Sequence, residues 1–406
     1  MSTQQHIDEE FVKELSDERD EPDWLRQRRL EAWRSYDDLP APNVIQTPGK
    51  RWTDLDELDV RSRSRRTEER DTRTSIDADV PDGVVVADLE DAVHEHEDVI
   101  RDVLLREVVP WDENRLLAVH AASWRSGLFV YVPEGVEVED VIRTRTEVDE
   151  EARFTHTLVV AEENATVTVA ESLEEGDEET YVSNVVEVVA GDGAEVNYGA
   201  LQSLDEGAYQ FTSKRGVAGR DASVNWIDGC FGSALTKSTV STVIEGEGSD
   251  TANYGLFFGT GRQHFDLETW TRHDAPHTTC DMFTRGVLDD RAVSAYEGTI
   301  EVSQPAYEVD AYQTENVLLV SDEAEADASP RLEIDNHNVK CSHAATMGRV
   351  DDEELFYMTS RGVDEDEAEK LIIEGFFEPV FGELPFPDLE DEFRELIQEK
   401  MGERSG

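Results

Sequence analysis

Positive charge is what this chain has least of. Its 37 basic residues, only seven of them Lys, stand against 94 acidic ones across 406 residues, for a formal net charge of −57. A phosphate backbone is bound through a basic footprint that releases counterions, so nucleic-acid binding is excluded as the main activity. The Arg-rich run from Arg61 to Arg73 departs from this locally, but Glu68, Glu69 and Asp71 interrupt it and it reads as a solvated linker. Cysteine is scarce too. Cys230, Cys280 and Cys341 lie 50 and 61 residues apart with no Cys-x-x-Cys pair, so neither a disulfide framework nor a private four-cysteine cluster site is encoded. No apolar run approaches the ~18 residues that span a bilayer, and the first residues, MSTQQHIDEEFVKELSDERDE, are acidic without an apolar core. Both features predict a reduced, cytoplasmic protein away from the membrane.

Nucleotide and hydrolase signatures are likewise missing. The segment Gly232 to Thr239, GSALTKST, has the Lys and Ser of a P-loop but not its second glycine, and Gly259-Thr-Gly261 lacks a third. There is no Gly-x-Ser-x-Gly elbow and no His-Glu-x-x-His. With 94 acids available, no chosen acidic pair is meaningful as an acid–base couple.

What is present is enough to fold: 38% apolar residues, with seven Trp and fifteen Phe, argue against disorder. Residues 1–110 read as an α-rich domain. Within it, residues 21–39 place Leu25, Ala32, Trp33 and Tyr36 on one helical face, with Pro22 in a first-turn position and Pro40 and Pro42 as terminators. A short strand, Val84 to Val86, precedes a helix carrying Leu89, Val93, Ile100, Leu104 and Leu105. From about Leu116 to Val350 the texture changes to short β-branched runs separated by Gly, Asp, Asn and Glu, which assigns residues 111–350 to a β core. One phrase recurs there. Asn164-Ala-Thr-Val-Thr-Val, Gly193-Ala-Glu-Val-Asn-Tyr, Asp221-Ala-Ser-Val-Asn-Trp and Ser249-Asp-Thr-Ala-Asn-Tyr start 29, 28 and 28 residues apart, and Arg291-Ala-Val-Ser-Ala-Tyr returns after a longer interval. A fixed period of this length predicts a parallel β-helix, a solenoid of about eight rungs, over a β-sandwich.

Residues 351–406 return to helix. Asp351-x-x-Glu354 and Asp364-x-x-Glu367 have the form of capping boxes, and Ala368, Leu371, Ile372, Gly375 and Phe376 follow the second at helical spacing. A last helix, Leu389 to Met401, carries Phe393, Leu396, Ile397 and Met401 on one face. These helices are expected to cover the open end of the solenoid. Cys341 and His343 are two apart, so on a strand both project to one face, and thiolate with imidazole makes a suitable half-set of iron ligands. His273, His277 and Cys280 resemble a zinc half-site, but Pro276 breaks the helix that such an i, i+4 pair needs and no fourth ligand is near.

The stretch from Pro330 to Gly362, with Lys340-Cys-Ser-His343 followed by a capped helix, resembles the C-terminal signature of the SufB/SufD family, the non-ATPase scaffold subunits of the Suf iron–sulfur cluster assembly system. The Lys-Cys-Ser-His run is similar to the SufD branch. Trp24-Leu to Leu39-Pro, Leu117-Ala-Val-His-Ala-Ala, Gly127-Leu-Phe-Val-Tyr-Val-Pro, Tyr296-Glu-Gly-Thr-Ile-Glu-Val, Asp310-Ala-Tyr-Gln-Thr and Asn316-Val-Leu-Leu-Val-Ser extend the resemblance over most of residues 20–380. Ala344, where Gly is common, and Asn336 to Asn338 depart from it. The resemblance implies a mainly β protein, a right-handed parallel β-helix between helical ends, that is a scaffold and not an enzyme. It also implies a heterodimer with a SufB-like subunit, an ABC-type ATPase, SufC, docked on the C-terminal helices through Ala368, Leu371, Ile372 and Phe376, and a transient iron–sulfur cluster at the SufB interface. His343 would be an iron ligand shared with the partner chain, and Cys341 its neighbour. A SufB-type or homodimeric scaffold is the alternative within the family; a β-helix enzyme acting on polysaccharide is the alternative outside it.

The acids are spread from end to end, the pattern of a proteome adapted to molar salt. Folding should therefore depend on salt, because the Debye length shrinks to about 3 Å at 1 M. Thermal unfolding should shift upward between roughly 0.1 M and 2 M KCl; an unchanged transition would contradict this.

Overall fold

The computed structural model describes residues 7–47, 50–51, 53, 55, 74–77, 79–148, 152–174, 180–381 and 387–403, and the Arg-rich run lies outside them. Two helices open the chain, α1 (Glu9–Glu18) and α2 (Asp23–Ser35). The side chain of Asp8 caps α1 by accepting from the Phe11 N–H, and Pro22 is the N-cap residue of α2. After the short strands β1 (Gln46–Thr47), β2 (Lys50–Arg51), β3 (Thr74–Asp77) and β4 (Val85–Asp88) come three more helices, α3 (Leu89–Glu95), α4 (Glu97–Val103) and α5 (Arg115–Ser123). The helix expected over Leu89 to Leu105 is thus broken at His96. The helix α5, capped by Asn114 Oδ1, occupies the first stretch of the segment that reads as strand.

Leu25 and Ala32 of α2 are buried as their spacing predicts, and so is Arg29, which no apolar pattern could show. Its guanidinium bonds Glu21 (2.7–3.1 Å), reaches the carbonyl of Ala121 (3.3 Å) and lies 4.4 Å over the Trp124 ring. A buried charge is tolerated only when its donors are used in this way.

Sixteen strands follow. They run from β5 (Ser126–Val132) and β6 (Ile142–Glu147) through β7 (Ala152–Ala161), β8 (Thr166–Glu174), β9 (Tyr181–Ala190), β10 (Glu195–Ser203), β11 (Tyr209–Ala218) and β12 (Ser223–Cys230). They continue with β13 (Leu235–Ile244), β14 (Asp250–Gly259), β15 (His264–His273), β16 (Thr279–Leu288), β17 (Val293–Val302), β18 (Val309–Leu319), β19 (Glu325–Ile334) and β20 (Val339–Arg349). Odd and even strands separate into two sheets, each a parallel ladder from β5 or β6 onward, so the chain winds as a β-solenoid of about seven turns. Its first rung is closed by antiparallel pairing, β3 on β6 and β4 on β5.

The recurring phrase marks one corner of this solenoid. Asn164, Gly193, Asp221, Gly248, His277 and Glu308 all take positive φ, between 53° and 80°. Each donates its N–H to a carbonyl of the next corner, at 2.6–3.2 Å. Asn, Asp and Gly tolerate the left-handed conformation, and the residue after each corner turns inward and is buried. The fourth copy begins at Gly248, one residue before the expected Ser249, so Asn253 and not Tyr254 pairs with Trp226. Glycine fits there without displacing a neighbour: a Cβ on Gly248 would lie 2.3 Å from Asp221 Oδ1, which would have to move. The fifth phrase belongs to β17, in the opposite sheet, which explains its longer interval.

Between the sheets, Val167, Val169, Val196, Tyr198, Val224 and Trp226 stack on Val159, Val186, Val188 and Val240. The C-terminal helices are α6 (Asp352–Thr359), α7 (Glu365–Phe381) and α8 (Pro387–Glu403). Contrary to expectation, α7 and α8 do not cover the end of the solenoid but lie along the outer face of the even sheet. Ile373, Phe377, Val380, Phe393, Ile397 and Met401 pack there on Ala170, Leu201, Ile227, Leu256, Val287 and Leu318. Phe393 sits so close to β12 that a Cβ on Gly229 would lie 2.2 Å from its ring. No helix among the described residues is long and apolar enough to cross a membrane.

Candidate functional site

Because α7 and α8 lie on the flank, the last rung is left open. Among the described residues no strand lies beyond β19 and β20 in their ladders, and most of the residues of these two strands are exposed. Such an edge presents a row of unpaired backbone groups, a template for another chain. Around it stand Tyr307, Tyr312, Ile334 and Met347, all large, apolar and exposed.

Cys341 and His343 are on β20, in register with Ala311 and Gln313 of β18. Cys341 is half-buried and packs, as Leu332 and Val339 do, on the Met282 and Ile300 cluster inside the solenoid, so the face it shares with His343 is the lumen face. Burial, and then the charge of Asp310, raises its thiol above the usual range. His343 is exposed at the mouth. The strand pattern brings these two residues together, as their spacing predicts.

A second feature of the lumen is invisible in the sequence and emerges only from register. Glu171, Ala200, Asp228, Gly255, Thr284, Glu315 and Ala345 occupy one column along the even sheet, one per rung. Glu171 accepts hydrogen bonds from Asn184 Nδ2 (2.8 Å) and the Tyr198 hydroxyl (3.0 Å). Asp228 accepts from Lys214 Nζ and the Ser238 hydroxyl. Glu315, nearest the open end and 2% exposed, receives nothing from the protein on either oxygen, and the fully buried Gln313 has no partner for its amide oxygen or nitrogen. Buried polar atoms are nearly always satisfied, and among the described residues Gln313 and Glu315 are the two side chains with a pair of orphaned atoms each.

The other candidates do not assemble. His273 is buried in the lumen with Nδ1 2.7 Å from Thr278 Oγ1, and burial lowers it to about 4. His277 sits at a corner 3.0 Å from Glu308, and the Cys280 thiol, raised to about 12 by burial, bonds Thr271. Among the described residues no three His, Cys, Asp or Glu side chains gather as a metal site. Lys237 of the P-loop-like segment is on β13 and pairs with Asp266 at 2.8 Å. It lines a cleft of about 220 Å³ with Arg215, Glu113, Glu268 and Trp270, where Arg215 is likewise held by Glu113. A buried chain from Ser183 through His120 and His156 to Glu187 fastens α5 to the odd sheet, and Glu187 also takes the N–H groups of Leu105 and Val109.

Of the expected ATPase-docking residues, Ala368 is buried against the protein itself, Ile372 and Phe376 are half-buried, and Leu371 is exposed. The Phe376 ring is covered by the Arg285 guanidinium, 4.9 Å from its centroid. Phe356 and Tyr357 on α6, at 72% and 57%, are the most exposed large apolar side chains among the described residues, and the sequence reading overlooked them.

An open-ended parallel β-solenoid preceded and followed in the chain by helices is the architecture, and comparison with known proteins gives the family. Residues 143–376 match the SUF system FeS cluster assembly, SufBD core domain, and residues 62–144 match the SufBD protein N-terminal region. The chain therefore belongs to the SufB/SufD family. It is 31% identical to the iron–sulfur cluster assembly protein SufD of Bacillus subtilis over 99% of both chains. It is 26% identical to SufB of the same organism over 97% of this chain and 93% of that one. A chloroplastic SufBD family protein of Arabidopsis thaliana is 28% identical over 97% of this chain and 79% of its own length. The greater identity to SufD, over the full length, supports a SufD-type subunit.

Burial, and after it the charge of Asp327, pushes the Glu315 carboxyl up to about 8. A raised carboxyl holds its proton more tightly in the folded chain, so it costs stability as pH rises from the unfolded value of 4.5 to about 8, and nothing further above that. Glu315→Gln should remove this loss. Its stability advantage, read from denaturant unfolding in molar salt, should grow across that window to a few kcal/mol. An advantage that does not change with pH would contradict the assignment.

Proposed function

We propose that this chain is a cytoplasmic SufD-type scaffold subunit that pairs with a SufB-like subunit through the open last rung of its solenoid. In this reading β20 and the exposed Tyr307, Tyr312, Ile334 and Met347 form the contact, and His343 is offered to iron at the boundary, with Cys341 as its neighbour. The observation that carries it is the unpaired lumen-facing Cys341 and His343 on an edge strand, in a chain of this family. Imidazole binds iron without the deprotonation that a raised thiol needs, so His343 is the principal ligand. The chain supplies the surface and ligands; the iron and sulfide are cargo.

Docking of an ABC-type ATPase belongs to α6 and the outer side of α7, where Phe356, Tyr357 and Leu371 are exposed while the opposite side of α7 is spent on the sheet. Removing residues 364–406 would uncover that sheet, so point variants give the cleaner test.

Co-expression with SufB-like and SufC-like partners separates these roles. His343→Ala should leave the three-subunit complex intact while cutting its iron and sulfide content several-fold, with Cys341→Ala milder. Phe356→Ala with Leu371→Glu should lose the ATPase and keep the SufB-like subunit. Normal cluster content in an assembled His343→Ala complex, or an ATPase retained by the α6–α7 variant, would overturn the corresponding assignment.

A further inference from the structure

Resting on the interface reading above, we propose that Glu315 and Gln313 form the floor of a divalent-metal site beneath His343, at which ferrous iron is held inside the mouth of the lumen. Three independent observations lead to it. First, the carboxylates deeper in the same column, Glu171 and Asp228, are each bonded by two donors, so the fold satisfies lumen acids wherever it closes around them. Glu315 alone of these three is left with both oxygens unpartnered, as are both ends of the Gln313 amide. Leaving such groups buried and unpaired costs about 1–3 kcal/mol apiece, and a cation bound to the carboxylate and the amide oxygen would offset part of that cost.

Second, the space above them is kept small-sided. In the last rung Ala345 stands over Glu315 and Ala328 over Tyr296, while His343 stands over Gln313. Across the lumen the Gln313 amide lies against Gly298, where a Cβ would come within 1.8 Å of Nε2. At these two positions only small side chains stand between the exposed edge and the carboxylate, which is itself 2% exposed. Third, the donors are of the right kind. A carboxylate oxygen, an amide oxygen and an imidazole nitrogen, with the Cys341 sulfur adjacent, suit a first-row divalent ion better than calcium or magnesium. These groups are not gathered around a point in the free chain, so the ion is held once a partner closes the rung and supplies the remaining ligands.

The test is Co(II) titration of the metal-free complex with the co-expressed SufB-like subunit, under anaerobic conditions and in molar salt to screen the surface acids. Absorption by bound Co(II) gives its stoichiometry and affinity. One tight equivalent per chain is expected, weakened at least ~10-fold by Glu315→Gln and by His343→Ala. Ala345→Leu, on the exposed edge strand, places a larger side chain over Glu315 without altering a ligand and should weaken binding similarly; it guards against a folding effect of the buried variant. Full affinity in Glu315→Gln together with loss in His343→Ala overturns this inference and leaves the interface reading standing. Full affinity in every variant overturns both.

Discussion

A parallel β ladder cannot end itself. Each strand satisfies its neighbour's backbone and presents an identical unsatisfied row one rung further on, so the chain must cover the final row or leave it for another molecule. The two ends of this solenoid answer that constraint differently. At the start, antiparallel β3 and β4 close the first rung, and α1 to α5 pack into one apolar cluster with Phe154, Tyr181 and Phe211. At the finish, the helices that could have served as a lid are bound to the flank by Phe377, Phe393 and Ile397, and β19 and β20 stay open. The asymmetry decides where chemistry can occur.

The lumen carries the same asymmetry in its polarity. Near the closed end Val, Tyr and Trp fill it, and its first carboxylate, Glu171, accepts two hydrogen bonds, from Asn184 and Tyr198. Moving outward, Asp228 is neutralised by Lys214, and its neighbour Cys230 is a buried thiol raised well above the usual range by burial. The last carboxylate, Glu315, is unpartnered directly beneath the edge strand that bears Cys341 and His343. The lumen carboxylates thus run from bonded to unpartnered toward the mouth, which marks it as the reactive end.

Much of this was legible in the sequence because solenoid corners have strict demands. A left-handed corner favours Asn, Asp or Gly, and the residue after it turns inward, so the phrase at Asn164, Gly193 and Asp221, each followed by Ala, stands out. The fourth copy is offset by one from its apparent start because Ser249 and Thr251 stand where the other copies have Ala and Val. The helix α5 was hidden because its Leu117 to Ser123 segment is buried all round and shows no polar face. The pairing of Cys341 with His343 follows from a spacing of two on a strand, and needed no structure. Glu315 could not be singled out from the other acids, because only register reveals that it shares a column with Glu171 and Asp228. The flank position of α7 was unreadable for a related reason: the helix is apolar on more than one side, and the sheet takes Ile373 and Phe377 where spacing pointed to Leu371 and Ile372.

Amide hydrogen exchange over residues 339–349 tests the open-edge claim most directly. In the chain alone the outward-facing N–H groups of β20 should exchange quickly while those of β18, paired on both sides, are protected. In complex with a SufB-like subunit, protection should rise across β20 and little elsewhere in the solenoid. Protection of β20 that is already high in the monomeric chain, or that is unchanged on complex formation, would contradict the claim that this rung is where the partner completes the fold.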